Sequence, residues 1–588
     1  MHDVNHIPPP PTSPAGSNDR PPLPITTIMG QGYYDLGSFH RQVTTVSRTA
    51  QTWFDRGLIW TYGFNHEEAA RCFEAAIRDD ANCAMAYWGL ALALGPNYNK
   101  PWHVFDSKER KKAVDRTRRA AANARAVASH VSPVEKSLIG ALQFRYPPYS
   151  PVHDYPSWNR RYADAMERVY STFPGDLDVA TLYADALMNL TPWELWDIET
   201  GKPAPVARTA EIQAVFDRAL TQRGALKHPG LLHFYIHLME MSPMPERALA
   251  VADYLRGLVP DAGHLNHMPT HLDILCGDYR RAIASNIEAI RADERFLARR
   301  GSVNFYTLYR SHDYHFCVYA AMFAGQSRVA LDTVQQLETS IPEELLRVES
   351  PPMADWLEAF LAIRLHVLVR FGRWADILNL ELPQNQKLYC VTTTTMHYAR
   401  GLALAATGSV QDAEKERVSF HDTLKLVSPS RRLFNNSCID VLLIGSAMLD
   451  GELEYRRGNV HLAFSHLRHA IKLEHELPYD EPWGWMQPVR HAYGALLLEQ
   501  GHVKEALRAY RADLGIDGTL PRALQHPSNV WALHGYYECL TRLGEVGEAQ
   551  IVRQQLTLVA ATADVDIASS CYCRRGSGSK TDGPRCCI

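Results

Sequence analysis

The sequence has few cysteines, little net charge and no long apolar run, and each of these absences excludes a class of protein. Eleven cysteines in 588 residues are too few for a small secreted scaffold held by disulfides. The 61 basic and 65 acidic residues leave a net charge of −4, so no global field favours binding to nucleic acid or to a membrane surface. The sequence contains no apolar run of about 18 residues, and its N-terminus lacks the basic-then-apolar order of a secretory signal. We therefore expect a soluble, cytoplasmic protein with neither nucleic acid nor a membrane as its partner.

The cysteines fall into two sets. Seven lie inside apolar helical patterns without paired spacing, which predicts buried free thiols in a reducing compartment; these are Cys72, Cys83, Cys276, Cys317, Cys390, Cys438 and Cys539. The other four lie close to the C-terminus, where soft-metal binding, lipid attachment and no function at all stay open; these are Cys571, Cys573, Cys586 and Cys587.

Length and composition divide the chain into three parts. Residues 1–30 are polar and rich in proline, and we predict that they are disordered because they have too little apolar surface to bury. Residues 31–561 have helical periodicity with almost no alternating β-branched runs, which predicts a single helical-repeat domain. Residues 562–588 are rich in glycine and serine and are predicted to form a flexible tail.

A helix-turn-helix unit recurs along the middle part. In residues 53–81, Trp53, Gly57 and Trp60 lie on one helix, and Ala69 and Phe73 lie on the next, a pattern that resembles the tetratricopeptide repeat of about 34 residues. Later units align through the small residue of their second helix, which is Ala248, Ala282, Ala330, Ala413, Ala463, Ala506 and Ala549. The resemblance implies an all-α fold in which helix pairs stack into a right-handed solenoid with a concave groove.

Histidine is concentrated in three consecutive units. Eight of the 26 histidines lie between His228 and His315. Seven of the eight fall at positions 2, 5 and 9 of the first helix of a unit; these are His233, His237, His264, His267, His271, His312 and His315. Spacings of three and four residues place side chains on one helix face. In tetratricopeptide repeats that face lines the concave groove, so we expect the seven imidazoles to share one hollow.

Metal binding is the chemistry that this pattern favours. Imidazole suits zinc, copper, iron and nickel, and seven histidines exceed the needs of one tetrahedral ion. Two ions, or one ion with further histidines around it, both stay open. A histidine-dominated pair of ions that binds dioxygen is typical of dinuclear copper proteins, so copper is our first choice of cofactor and iron or zinc the second. Glu240 and Tyr319 lie at positions 12 and 9 of the same helices and are the predicted catalytic proton carriers.

Two features outside these units are candidates for the same site. His66 in the motif FNHEEA is included among the candidate metal ligands, although Asn65 and Glu68 also fit a helix-capping box in which His66 has no chemical role. The segments 96–102 and 190–205 depart from the repeat, and such departures tend to lie on the functional face. Their aromatic residues are predicted to form a pocket wall and are Tyr98, Trp102, Trp193 and Trp196.

Several motifs together narrow the resemblance. FNHEEA, HFYIH, GHLNHMPTH and SHDYHF occur jointly in a way that is similar to a group of tetratricopeptide-repeat proteins found in bacteria and fungi. The resemblance implies the fold and a common site, and it brings no substrate with it.

Two functions follow from these observations. The first is a metal-dependent oxidoreductase or oxygenase that acts on a small organic molecule, with dioxygen as the candidate second substrate. The second is a non-catalytic scaffold that binds a partner peptide in its groove. Grooves that hold acidic peptide ends use Lys, Arg and Asn, and the three histidine-bearing helices bring few of these to the groove positions.

Overall fold

The computed structural model describes residues 32–147 and 154–574. Leu36–Ile588 form one compact unit and Met1–Asp35 another, of which only residues 32–35 are described. The predicted disordered segment 1–30, together with Cys586 and Cys587, lies outside the described residues. We therefore discuss only the larger unit below.

Helices make up most of the described part of this unit. In the first half they are α1 Arg48–Tyr62, α2 His66–Asp79, α3 Ala84–Ala93, α4 Ser107–Ala126, α5 Pro133–Arg145, α6 Tyr155–Thr172, α7 Leu177–Met188, α8 Thr209–Leu220, α9 Pro229–Glu240, α10 Leu249–Asp253, α11 Gly263–His267, α12 Pro269–Leu275 and α13 Tyr279–Arg300. In the second half they are α14 Thr307–Phe323, α15 Ser327–Ser340, α16 Glu343–Leu346, α17 Met353–Leu357, α18 Ile363–Arg370, α19 Trp374–Asn379, α20 Cys390–Thr407, α21 Val410–Leu424, α22 Cys438–Arg456, α23 Val460–His475, α24 Val489–Glu499, α25 Val503–Asp513, α26 Val530–Leu543 and α27 Val546–Ala560. The strands form two short antiparallel hairpins, β1 Trp196–Asp197 with β2 Lys202–Pro203, and β3 Arg432–Leu433 with β4 Asn436–Ser437.

Successive helices pack as pairs, and each pair packs on the next. Helix α1 packs on α2, α20 on α21, α22 on α23 and α26 on α27, while α20 also packs on α22. The repeat alanines explain the close approach: those named above are all buried, from Ala248 at 0% exposure to Ala549 at 9%. Gly408 ends α20 with φ of 100°, a left-handed conformation that favours glycine at the end of a helix. The predicted all-α, tetratricopeptide-like helical-repeat fold is confirmed.

Helices are short and broken where the histidines lie. The second helix of the first histidine unit is only a 3₁₀ turn, Pro245–Ala248, followed by the five-residue α10. The next unit divides into α11 and α12 at Pro269, which lacks a backbone N–H and therefore occupies the first position of α12. His264, which the repeat places at position 2 of the first helix of this unit, lies in α11.

A later helix and the segment after α27 contact the helices that precede them. The carbonyl of Met322 in α14 accepts a hydrogen bond of 2.7 Å from Trp531 Nε1 in α26. Beyond α27, Asp564 Oδ1 accepts from the backbone N–H of Ser327 at 2.6 Å, and Ser570 Oγ donates to the carbonyl of His491 at 2.8 Å. Residues 562–574 thus contact the helices, whereas the predicted domain boundaries stay a prediction.

The cysteines are arranged mostly as expected. Six of the seven repeat cysteines are buried free thiols and Cys276 is half-buried. Cys571 and Cys573 are joined in a disulfide, a pairing that the sequence did not predict. Within the part of the chain that the structure describes, no helix combines the length and the apolar character needed to cross a bilayer.

Candidate functional site

The seven predicted histidines lie buried in the interior, not on an open groove. None of them is more than 8% exposed; they are His233 and His237 on α9, His264 and His267 on α11, His271 on α12, and His312 and His315 on α14. Helix α9 packs on α12, and α11 packs on α14, so one face of each helix points into a shared space. Loops that the repeat pattern does not predict enclose that space.

His233, His237 and His264 form the first triad, with candidate ligand atoms within 4.8 Å of one another. The Nδ1 atom of His233 lies 2.5 Å from the carbonyl oxygen of Tyr62, and Nδ1 of His237 lies 2.7 Å from Glu240 Oε1. Nδ1 of His233 must donate to the carbonyl, so its Nε2 carries a lone pair, and Glu240 in its carboxylate form sets His237 in the same tautomer. Neither Nε2 has a hydrogen-bond partner among the described residues. This is the arrangement of metal-binding histidines, in which an outer acceptor orients the ring.

His267, His271 and His312 form the second triad, again within 4.8 Å. Nε2 of His271 lies 2.7 Å from Nε2 of His267 and 3.3 Å from Nε2 of His312. Nδ1 of His267 lies 2.7 Å from Asn286 Oδ1, and the orientation of that amide is set because Asn286 Nδ2 donates to the carbonyl of Ala282. Three imidazole nitrogens therefore converge on one point.

Glu240 joins the two triads. Its Oε1 accepts from His237 of the first triad at 2.7 Å, and its Oε2 accepts from Nδ1 of His271 of the second at 2.9 Å. Glu481, from the loop between α23 and α24, places Oε2 only 2.5 Å from the same Nδ1 of His271. Burial, followed by the neighbouring Glu481, raises the pKa of Glu240 well above its usual value. Glu240 therefore holds a proton more readily than an isolated carboxyl group does.

Burial lowers the pKa of five of these imidazoles and so favours their neutral form, which is the form that binds a metal ion. It lowers the pKa of His233 to about 3. It also lowers the pKa of His237, His264, His267 and His312 well below the usual value, and neighbouring imidazoles lower these pKa values further. A neutral ring offers a lone pair to an ion without first losing a proton.

His66 and His315 lie outside both triads. Nδ1 of His66 is 2.9 Å from the carbonyl of Ala93, and Asn65 Oδ1 accepts from the N–H of Glu68 at 3.3 Å, as the predicted helix cap requires. His315 is fully buried, its two ring nitrogens have no hydrogen-bond partner among the described residues, and its ring packs edge-on against Phe360 at 5.5 Å. The structure thus brings six of the eight predicted ligands together.

Tyr319 lies at a small cavity beside the second triad. It shares the lining of this cavity, about 20 Å³, with His271 and Glu481. A space of this size holds about one water molecule and excludes an organic substrate. Burial raises the pKa of Tyr319 well above its usual value, so its hydroxyl is protonated at neutral pH.

Three aromatic residues with strained backbones wall the histidine cluster. Phe64, Trp193 and Phe434 have φ of 56°, 62° and 48°, in the left-handed region that bulky residues rarely adopt. Their ring centroids lie 4.6 Å from His233 for Phe64, 5.8 Å from His237 for Trp193 and 4.9 Å from His312 for Phe434. Such strain persists where the surrounding structure imposes it and is concentrated at functional sites.

Two of the four aromatic residues predicted to form a pocket wall, Tyr98 and Trp193, lie beside the histidine cluster. Tyr98 lies 5.1 Å from His237 and 5.1 Å from Trp193 between ring centroids. Trp102 packs against other aromatic residues, and Trp196 donates from Nε1 to the carbonyl of Leu238 at 2.7 Å.

Sequence reasoning missed Asn286, Phe434 and Glu481. Asn286 has no motif of its own and lies on α13 opposite His267. Glu481 begins the segment EPWGWM, whose departure from the repeat was its one sequence signal. Phe434 belongs to the β3–β4 turn, which no histidine spacing predicts.

Comparisons with known proteins bring no identity. No known family matches the chain, and no curated protein matches it. Among solved structures it is similar to "Structure of Naa15/Naa10 bound to HypK-THB", at 14% identity over 87% of this chain and 70% of that one with a TM-score of 0.20. It is also similar to "Crystal structure of APC/C hetero-tetramer Cut9-Hcn1", at 12% identity over 88% of each chain with a TM-score of 0.28. At these TM-scores neither similarity bears on what this chain does.

Proposed function

We propose that this protein is a metal-dependent oxidoreductase or oxygenase that holds two ions in its buried histidine cluster. One ion is assigned to each triad, copper is the first choice, and a small organic molecule with dioxygen is the proposed substrate pair. The helical repeat serves as the scaffold that carries the helices α9, α11, α12 and α14.

The contact between His267 and His271 carries this proposal. Each ring uses Nδ1 as a donor to an outer acceptor, so the two Nε2 lone pairs face each other at 2.7 Å. Two lone pairs at that distance repel unless a cation lies between or beside them. A proton on one of the two rings is one such cation, and burial disfavours it on His267. A metal ion bound by both rings removes the repulsion.

The spacing of the second triad fits an ion with small adjustments. Nitrogen ligands at about 2.0–2.1 Å from a tetrahedral ion lie about 3.3 Å from one another. The Nε2 atoms of His271 and His312 are 3.3 Å apart, and those of His267 and His271, at 2.7 Å, would have to separate by about 0.6 Å to match.

The donor set favours copper. Each triad consists of imidazoles alone, and both oxygens of Glu240 are engaged with Nδ1 atoms on the outer side of the rings. Iron and manganese sites usually add carboxylate ligands, whereas copper and zinc accept nitrogen ligands alone. Zinc, like iron, stays the second choice.

The roles of the predicted catalytic residues follow from their contacts. Copper, when bound, would supply one-electron redox chemistry toward dioxygen. Glu240 acts as a positioning residue, because it holds one ring of each triad through Nδ1. Tyr319 is the candidate proton donor, since its phenol and His271 line a cavity that accommodates about one water molecule.

A scaffold that binds a partner peptide is the alternative function. Its weakness is the burial of all seven histidines, because a peptide lying on an open groove would not contact them.

Metal content tests the proposal. Untagged protein is supplied with copper, iron or zinc, freed of loose ions and measured for metal per chain, with optical and paramagnetic-resonance spectra of the copper form. We expect two copper ions per chain, and fewer in His237→Ala and His271→Ala. His469→Ala, which changes an exposed histidine on α23, is the matched control. No retained metal in the wild type, or equal retention in all variants, would overturn the proposal.

A further inference from the structure

A larger cavity lies next to the first triad. It has a volume of about 420 Å³, and its lining includes Phe64, His66, Asn97, Lys100 and Phe305. Small-molecule sites typically have volumes of about 300–1,000 Å³. The cavity is thus large enough for an organic ligand, unlike the space beside Tyr319.

One aromatic ring separates this cavity from the histidines. Phe64 lines the cavity, and its ring centroid lies 4.6 Å from His233, 5.8 Å from His237 and 5.5 Å from His264. The residue is 2% exposed and has φ of 56°. A ligand in the cavity would therefore lie one ring thickness from the first triad.

Hydrogen-bond donors line the same cavity. Asn65 is fully buried, and its Nδ2 has no acceptor among the described residues, although an unmet buried donor is costly. Lys100 is 7% exposed, and its ammonium, which has three protons, donates to Glu109 and lies 3.7 Å from the ring centroid of Phe305. Asn97 Nδ2 lies 3.4 Å from Nε2 of His66. These donors call for an acceptor oxygen.

The remaining wall suits a flat ring. Phe64, Phe105, Phe305 and Tyr306 all line the cavity, and aromatic faces pack well on planar apolar groups. Basic residues in the lining outnumber acidic ones by four to three. A positively charged group placed beside Lys100 and Asn65 would meet hydrogen-bond donors there and would be disfavoured.

We propose that this cavity binds an aromatic molecule bearing a carboxylate or phenolic oxygen, held by Asn65 and Lys100 and packed against the aromatic side chains of the lining, which include Phe64 and Phe305. The proposal rests on the proposed function, since it supplies the organic substrate of the histidine cluster. It deepens that function by naming a substrate class and a binding site.

Calorimetric titration of the copper-loaded protein tests it, with benzoate and 4-hydroxybenzoate as probes and benzylamine and acetate as comparisons. We expect both aromatic acids to bind at least tenfold more tightly than benzylamine or acetate. Comparable binding of benzylamine, or no binding of either aromatic acid, would overturn the proposal.

Two variants locate the binding. Asn65→Asp keeps the oxygen that caps α2 but replaces the Nδ2 donor by an acceptor, so benzoate should bind at least tenfold more weakly. Lys100→Met should have a similar effect, whereas Lys415→Met, a change at an exposed residue on α21, should have none. Folding is checked by circular dichroism. Unchanged benzoate affinity in both folded variants would refute the assignment.

Metal analysis of the same samples separates the two proposals. Neither Asn65 nor Lys100 belongs to a triad, so both variants should keep the wild-type metal content. If the protein retains no metal after it has been supplied with copper, but still binds benzoate in a way that depends on Lys100, the result would support the cavity and refute the metal centre. Full metal content without any binding of benzoate or 4-hydroxybenzoate would support the metal centre and refute the assignment of the cavity.

Discussion

The Nε2 atoms of His267 and His271 lie 2.7 Å apart, one turn from each other along the chain. Met268 and Pro269 lie between them, where α11 ends and α12 begins. Because Asn286 and Glu240 hold the Nδ1 atoms, the rings cannot turn their N–H groups inward to relieve the contact. On the proposed function, a metal ion bound by both rings relieves this contact.

Glu240→Gln should weaken metal binding while preserving the fold. A glutamine of the same size can accept one Nδ1–H through its oxygen, but its NH₂ group faces the Nδ1–H of the second ring. Loss of an outer-shell partner typically lowers metal affinity by about 10–100-fold. Competition with a chelator of known affinity measures the change, and Glu288→Gln at an exposed position of α13 should leave affinity at the wild-type value.

His271→Ala and His315→Ala should differ, although the two histidines are 2% and 0% exposed. His271 contributes Nε2 to the second triad, whereas His315 belongs to neither triad. We expect His271→Ala to lose at least one ion per chain and His315→Ala to retain both, as measured by elemental analysis. Equal metal loss in the two variants would contradict the division into triads.

Phe64→Ala should speed metal extraction, because it removes the ring between the large cavity and the first triad. We expect a chelator to remove the metal at least tenfold faster than from the wild type. Truncation of a buried phenylalanine also destabilises a protein by about 3–5 kcal/mol. Phe464→Ala, in a core cluster that contains none of the triad histidines, should cost similar stability without faster extraction, and equal rates in both variants would argue against Phe64 as the partition.

The stability of the metal-free protein should decrease as the pH is lowered, and His366 should account for part of that decrease. Burial lowers the pKa of His366 to about 4, below its usual value of 6.5. Between these values the unfolded chain binds a proton that the folded chain does not, so stability is lost as the pH falls below about 6.5. From pH 7 to pH 5 this histidine should contribute a loss of about 2 kcal/mol.

His366→Leu removes that contribution. Urea unfolding at pH 7 and pH 5 should therefore show a smaller pH dependence for His366→Leu than for the wild type. His469→Leu, at an exposed position, should keep the wild-type dependence. Equal dependence in the wild type and His366→Leu would mean that His366 titrates normally.

Much of the fold follows from the sequence because a helical repeat is local. Glycine and alanine recur at a fixed offset in later units. In one of these units Ala413 is buried and Gly408 has a left-handed conformation, as this phase requires. The histidine positions share a helix face for the same reason, since spacings of three and four residues follow from 3.6 residues per turn. The start of a new helix at Pro269 could also be expected, because proline is tolerated in a first turn.

Only the tertiary structure decided which histidines meet. His315 has the right helical position but its ring turns toward Phe360, and His66 is held by a carbonyl on the far side of Phe64. Glu481 reaches His271 from a loop more than 200 residues later, a contact that no local periodicity encodes. The sequence by itself determined the helical repeat and the face on which the histidines lie, because both depend on near neighbours in the chain. The distances, the burial and the six-histidine set depend on loops that fold back across the repeat, and these are decided by long-range packing.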